Sequence, residues 1–371
     1  MNYIKIIYFS CFIAAFSACK APRLTTNTAT DEVVKYHGRT LKNAQNDVDL
    51  ISAAAFAEFQ FTGNTCELSL INHATPTDYN YVAIELDNEY KGRIKVSNAT
   101  PTSFIIKANQ RKKWHLLRVF KATEPQNGVI TINNIRAKNL QKRPYISQKS
   151  IEFIGNSITC GMGNDARDIP CGGDSKWYDQ HNAYWSYATK VAQALDLDFT
   201  LNSISGAGIY RNWNSDSPTL PQQYNQTYLV LDSVQKWDFS RKQPDIVSIA
   251  LGTNDLSLGD GKTMRLPFDS TLFVNTYFDF IKTIYSHSPN TQIVLLNSPM
   301  VTGERGMLLT NCLKAVQEKT AKELLELKNI KVFEFTKVSA TGCSGHPNAE
   351  EHALMAQQLL PFMRKVVEDL K

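Results

Sequence analysis

Four short stretches of this 371-residue chain bring together groups that suit one reaction: "GNSIT" with Ser157, "NSISGAG" with Gly206, "GTND" with Asn254, and "TGCSGHPN" with His346. A serine hydroxyl attacks a carbonyl only when a base takes its proton, and an imidazole titrates in the range where it can serve. Attack leaves negative charge on the former carbonyl oxygen, which must face donors already in place. Ser157 and Gly206 offer main-chain N–H groups and Asn254 offers a carboxamide. The chemistry expected is therefore acyl transfer, with Ser157 as nucleophile, His346 as base, and Ser157, Gly206 and Asn254 as the oxyanion hole. Each piece alone has a plainer reading. A serine after a strand is commonly a helix N-cap, Gly-x-Gly a tight turn, and "HPN" a helix entry. What singles them out is their joint occurrence at strand ends.

Those ends belong to an alternating pattern that starts near residue 149. "SIEFIG", "FTLNSIS", "PDIVSIALG", "TQIVLLNS" and "IKVFEF" read as strands. Between and after them, "NAYWSYATKVAQALD", "DSTLFVNTYFDFIKTIYSH", "ERGMLLTNCLKAVQEKTAKELLEL" and "NAEEHALMAQQLLPFMRKVVEDL" have helical periodicity. Such alternation predicts a parallel sheet with helices on both faces, and near-continuous apolar strands fit burial on both sides. Ligands of these sheets sit beyond the carboxyl ends of the strands, where Ser157, Gly206, Asn254 and His346 follow. Residues 31–148 differ. "EFQFTGNTCELSLIN", read as two strands about a turn, is followed by "YNYVAIELD", "YKGRIKVS", "TSFIIKA", "KWHLLRVFKA" and "GVITINNIRA". These short period-2 segments predict an antiparallel β-sandwich. The expectation is two domains, 31–148 and 149–371.

The amino terminus, "MNYIKIIYFSCFIAAFSACK", has Lys5, an apolar run too short to span a bilayer, and small residues before Cys19. It reads as a secretory signal over residues 1–18. "FSAC" resembles a bacterial lipobox, which implies lipidation of Cys19, a tether over 19–30, and an exported lipoprotein held at a membrane or cell surface. The plainer alternative is a soluble secreted protein. A net charge of +5, with no basic run interleaved with aromatics, gives no reason to expect a nucleic-acid partner. Beyond Cys11 and Cys19, five cysteines remain: Cys66, Cys160, Cys171, Cys312 and Cys343. None has C-x-x-C spacing and no His-x-His occurs, so neither a metal nor another cofactor is expected. Export permits disulfides. The pairs Cys160–Cys171, bracing the Ser157 loop, and Cys312–Cys343, bracing the His346 loop, are the arrangement to test.

The four blocks resemble those of the SGNH (GDSL-type) hydrolases, with Ser157, Gly206, Asn254 and His346 at the residues that give the superfamily its name. Asn156 stands where Asp is commoner. The sandwich together with "IEFIGNSITCGMGN", "NAYWSYA", "SISGAGIYRN" and "GC-x-x-HPN" is similar to carbohydrate esterase family 2. That resemblance implies a jelly-roll-like sandwich joined to an α/β SGNH domain. It also implies an esterase removing acetyl groups from polysaccharide such as xylan, and aromatic contacts to sugar in a short open cleft. Tyr210 and Trp213 are candidates for those contacts, or else ordinary surface or core aromatics. One departure matters: Cys343 and Ser344 occupy the positions where a carboxylate commonly precedes the histidine. Either a main-chain carbonyl orients His346, or a carboxylate arrives from elsewhere in the chain, or the enzyme is slow; the resemblance implies the first, a Ser-His dyad with the carbonyl drawn from the "TGCSG" loop. The other histidines, His37, His73, His115, His181, His287 and His352, read as surface or structural. Rival readings are an esterase for another acyl ester, such as acetylated peptidoglycan or a lipid, and a glycan-binding protein whose catalytic site has decayed.

Overall fold

The computed structural model describes residues 25–28, 32–109, 111–144, 148–230, 235–327 and 330–370. Cys19 and the expected signal segment lie outside them. Two sheets organise the chain. The first is antiparallel and comprises the strands from Thr25–Thr28 to Ile130–Gln141, and the second is a five-stranded parallel sheet beginning at Ser150.

The antiparallel sheet is built around one long strand, Phe56–Asn72. The turn expected near Gly63 is absent, and the chain runs through it as strand. The physical reason lies in its partners. Phe56–Thr62 pairs with Trp114–Phe120, whereas Thr65–Leu70 pairs with Thr102–Lys107. The strand is thus handed from one neighbour to another at Gly63, whose φ of 90° suits glycine. Phe59, Phe61, Cys66, Leu68 and Leu70 keep their alternation and are wholly buried, in one cluster with Val82, Leu117, Val119, Ile130 and Ile132.

The parallel strands lie in the order Asp198–Ser203, Ser150–Gly155, Ile246–Ala250, Gln292–Leu296, Lys331–Phe333. The order reverses between the strands Ser150–Gly155 and Ile246–Ala250, the place where open α/β sheets leave a crevice. Helices Tyr187–Ala194, Ser270–His287, Gly303–Glu323 and Ala349–Glu368 cover the sheet. Their starts are local: Ser186, Asp269 and Asn348 each accept a main-chain N–H as N-cap, and Asn348 forms a reciprocal capping box with Glu351. The last residue of "HPN" is therefore a cap, which fixes where the loop carrying His346 ends.

The two sheets share apolar packing. Phe56 and Phe120 of the first pack with Phe153, Tyr184, Tyr187 and Phe199 of the second region in a single buried cluster. Main-chain bonds cross as well, from Ala183 N to Ala122 O at 2.9 Å, and buried Arg39 donates to the carbonyls of Tyr224 and Gln226. A charge with its polar partners in place is tolerated inside such an interface.

Candidate active site

Ser157 is the first residue of a one-turn helix, Ser157–Cys160, directly after the strand Ser150–Gly155. Its N-cap is Asn156, whose side chain accepts the N–H of Ile158, so the Ser157 hydroxyl is left free of capping duty. The turn is tight: a Cβ on Gly155 would sit 2.1 Å from the Thr159 hydroxyl. Ser157 Oγ lies 2.8 Å from His346 Nε2, joining residues 189 apart in sequence.

His346 is held from behind by the main chain. Its Nδ1 is 3.0 Å from the carbonyl oxygen of Ser344. A carbonyl only accepts, so Nδ1 carries the proton and Nε2 presents its lone pair to the serine hydroxyl. Ser344 has φ 56° and Gly345 φ 67°, and these two left-handed residues turn the carbonyl back onto the ring two positions later. Among the described residues no carboxylate bonds either ring nitrogen. Burial lowers the His346 pKa below its ordinary 6.5, with the Ser344 carbonyl partly offsetting it. The imidazole is therefore neutral, as a base must be, at pH 7.

The donors come from the neighbouring strand ends. Gly206 follows Asp198–Ser203 with φ 78°, and Asn254 follows Ile246–Ala250. Among the described residues the N–H groups of Ser157 and Gly206 have no acceptor. The Asn254 carboxamide spends one N–H on Ala207 O at 2.8 Å and keeps its second. Asp255, which within "GTND" suggests no more than a turn or cap, organises the loop beyond Gly206. Its buried carboxylate accepts the N–H groups of Ile209, Tyr210 and Arg211 at 2.9–3.3 Å. Gly208 is required there, because a Cβ would stand 2.1 Å from Arg211 O and 2.5 Å from the Asp255 carboxylate.

Ser157, Gly206, Asn254 and His346 all line one cleft of about 610 Å³, together with Gln126, Met162, Trp177, Trp213, Met300 and Arg305. The two indoles are 43% and 48% exposed, enough to present a face to a ligand. Trp213 is tied to the donor loop by its main-chain N–H, which donates to Gly206 O at 2.8 Å. Tyr210 is not in the cleft. Its ring packs on Phe268 and Phe273 and its hydroxyl accepts the N–H of Asp269; the aromatic rings that line the cleft are those of Trp213 and Trp177. Trp177 sits in a Gly- and Asp-rich loop with no periodicity, and its proximity to Ser157 had no signal in the sequence.

The disulfide also differs from expectation. Cys171 pairs with Cys343, and Cys66, Cys160 and Cys312 are free and buried. Cys160 points beneath the nucleophile turn, where its thiol donates to Glu124 at 2.8 Å, and so cannot reach Cys171. Cys312 faces the core of its own helix beside Leu309, Leu313 and Val316. The bond that does form ties the loop after the nucleophile turn to the His346 loop. Main chain reinforces it, since Cys343 N donates to Gly163 O at 2.8 Å. A Cβ on Gly163 would stand 2.4 Å from Cys343 O, which explains the second glycine of "GMGN".

Comparison with known proteins shows the family and the fold. Residues 153–356 match the GDSL-like lipase/acylhydrolase family, and residues 36–144 match the carbohydrate esterase 2 amino-terminal domain. An acetylxylan esterase / glucomannan deacetylase of Cellvibrio japonicus is 28% identical over 290 residues, which is 74% of this chain and 75% of the relative. The structure of a family two carbohydrate esterase from Cellvibrio japonicus superposes with a TM-score of 0.80 at 24% identity, covering 95% of this chain and 100% of that one. A family two carbohydrate esterase from Clostridium thermocellum in complex with cellohexaose gives 0.78 at 24%, covering 90% and 99%. This chain belongs to the GDSL-like lipase/acylhydrolase family, with the two-domain make-up of the carbohydrate esterase 2 enzymes, and is an ester hydrolase.

Proposed function

We propose that the protein removes O-acetyl groups from polysaccharide, xylan or another hemicellulose, through an acetyl-enzyme. Ser157 Oγ bonds to the acetyl carbonyl carbon while its proton passes to His346 Nε2. The oxyanion is met by the N–H groups of Ser157 and Gly206 and by the Asn254 carboxamide. Collapse breaks the bond to the sugar oxygen, which leaves with the proton from His346. Water, deprotonated by the same imidazole, then attacks the acetyl-enzyme, and acetate and free Ser157 result. The Ser344 carbonyl keeps the tautomer constant through both halves.

The observation that carries this reading is the Ser344–His346–Ser157 relay at a cleft flanked by two half-exposed indoles, a surface suited to a sugar ring. The same relay weighs against a decayed site, since a carbonyl does the orienting work of the absent carboxylate. The amino-terminal sequence further supports export and anchoring through a lipid on Cys19. The deciding assay is acetate release from acetylated xylan and acetylated glucomannan. Ser157→Ala is expected to remove at least about 10⁴-fold of turnover. Equal turnover by the folded variant would end the mechanism, and preference for an acetylated peptidoglycan or a long-chain ester would redirect the substrate. For the anchor, the unmutated protein should partition with membranes and Cys19→Ala should not.

A further inference from the structure

One turn of the amino-terminal domain reaches into the hydrolase site. Pro125–Asn127 forms a 3-10 turn, and from it Gln126 Nε2 donates to Ser205 O at 2.8 Å. The preceding residue, Glu124, accepts the Ser205 N–H at 2.7 Å. The turn is itself well fixed: Asn80 donates to Asn127 O at 2.8 Å and buried Lys121 to Glu124 O at 2.7 Å.

The Ser205 carbonyl and the Gly206 N–H belong to the same peptide unit. A trans peptide is planar, so the two groups point in opposite directions and cannot be aimed independently. Rotating that unit would turn the Gly206 N–H away from the cleft and bring a carbonyl oxygen in, where it would repel the developing oxyanion. Little else resists the rotation. Gly206 has no side chain, and even a Cβ placed there would meet only Trp213 Cβ at 4.0 Å. The flanking units are each held by other bonds, Ser205 N on Glu124 and Gly206 O on Trp213 N. The intervening unit is anchored by Gln126.

We infer that Gln126, seated by Glu124, is a positioning residue that holds the oxyanion-donor peptide in its working orientation. The amino-terminal domain thereby completes the catalytic site from 79 residues away in sequence. This rests on the esterase reading above.

The test uses the full chain and a small acetyl ester, 4-nitrophenyl acetate, which is too short to need sugar contacts. Gln126 is exposed, so its truncation leaves the fold intact, and a melting curve checks that. Gln126→Ala is expected to lower kcat by about 10-fold or more with KM little changed, short of the roughly 10²–10³ lost when an oxyanion donor is removed outright. Gln126→Glu keeps the length but cannot donate at pH 8, and should fall as far. Inhibition by a small boronic acid, whose tetrahedral adduct on Ser157 places an oxygen in the hole, should weaken in parallel. An active wild type with kcat unchanged in Gln126→Ala would overturn this inference alone, as would full kcat in Gln126→Glu. So would a defect confined to KM on polysaccharide, which would make Gln126 a sugar contact. A wild type without esterase activity would sink the esterase reading and this inference with it.

Discussion

Breaking the Cys171–Cys343 disulfide should separate stability from catalysis. Cys171→Ser is the mildest perturbation, because Cys171 is exposed and the buried Cys343 thiol stays in place. The partners are 172 residues apart, so the chain-entropy relation gives a ceiling of about 5 kcal/mol for constraint of the unfolded chain. Measured losses for native disulfides run at about 2–5 kcal/mol, and at roughly 2–4 °C per kcal/mol the unfolding midpoint should drop by about 4–20 °C. Catalysis should fare better. The His346 loop remains pinned by Cys343 N on Gly163 O at 2.8 Å and by Gly342 N on His346 O at 2.7 Å, so the Ser344 carbonyl keeps its aim. Well below the midpoint, kcat should stay within about fivefold of wild type, under about 1 kcal/mol in activation free energy. Thermal unfolding followed by circular dichroism, beside initial rates on 4-nitrophenyl acetate with and without dithiothreitol, reads both quantities. An unmoved midpoint would refute the unfolded-state argument. A loss beyond about 100-fold in kcat at 25 °C would show that the covalent bond, not the main chain, positions the base.

Two further outcomes follow from the site. His346 must be neutral to take the serine proton, burial is the largest influence and lowers its pKa, and among the described residues no carboxylate bonds its ring, Glu124 acting only at a distance; the acid limb of kcat/KM should therefore fall below pH 6.5, and a limb above pH 7 would point to a bonded carboxylate partner. Trp213→Ala removes a 48%-exposed ring from the cleft and should raise KM on acetylated polysaccharide by about 5–30-fold, the equivalent of about 1–2 kcal/mol, while leaving 4-nitrophenyl acetate turnover near wild type; equal effects on both substrates would place Trp213 in loop integrity instead.

Local pattern was enough to place Ser157, Gly206, Asn254 and His346 after strands, because a buried parallel strand advertises itself as an apolar run and its end as Gly, Asn or Ser. Sheet topology then brings Ser157, Gly206 and Asn254 together, since they follow three adjacent parallel strands; His346 follows the edge strand and reaches them through the loop that Cys343 N ties to Gly163 O. The missing Asp before His346 was equally visible, but that the Ser344 carbonyl rather than a distant carboxylate takes its place is seen only in the folded chain. Other features had no such local mark. Tyr210 and Trp213 are three residues apart with similar chemistry, and only packing sends one against Phe268 and the other into the cleft. Cys171 finds Cys343 rather than Cys160 because Cys160 is turned inward onto Glu124. Gln126 and Glu124 sit in an ordinary turn of a sandwich domain, 79 and 81 residues before the Ser205 they hold. Periodicity reports which face of an element is buried; it carries no information about which distant element covers that face, and it is the docking of one sheet on the other that decides those partners.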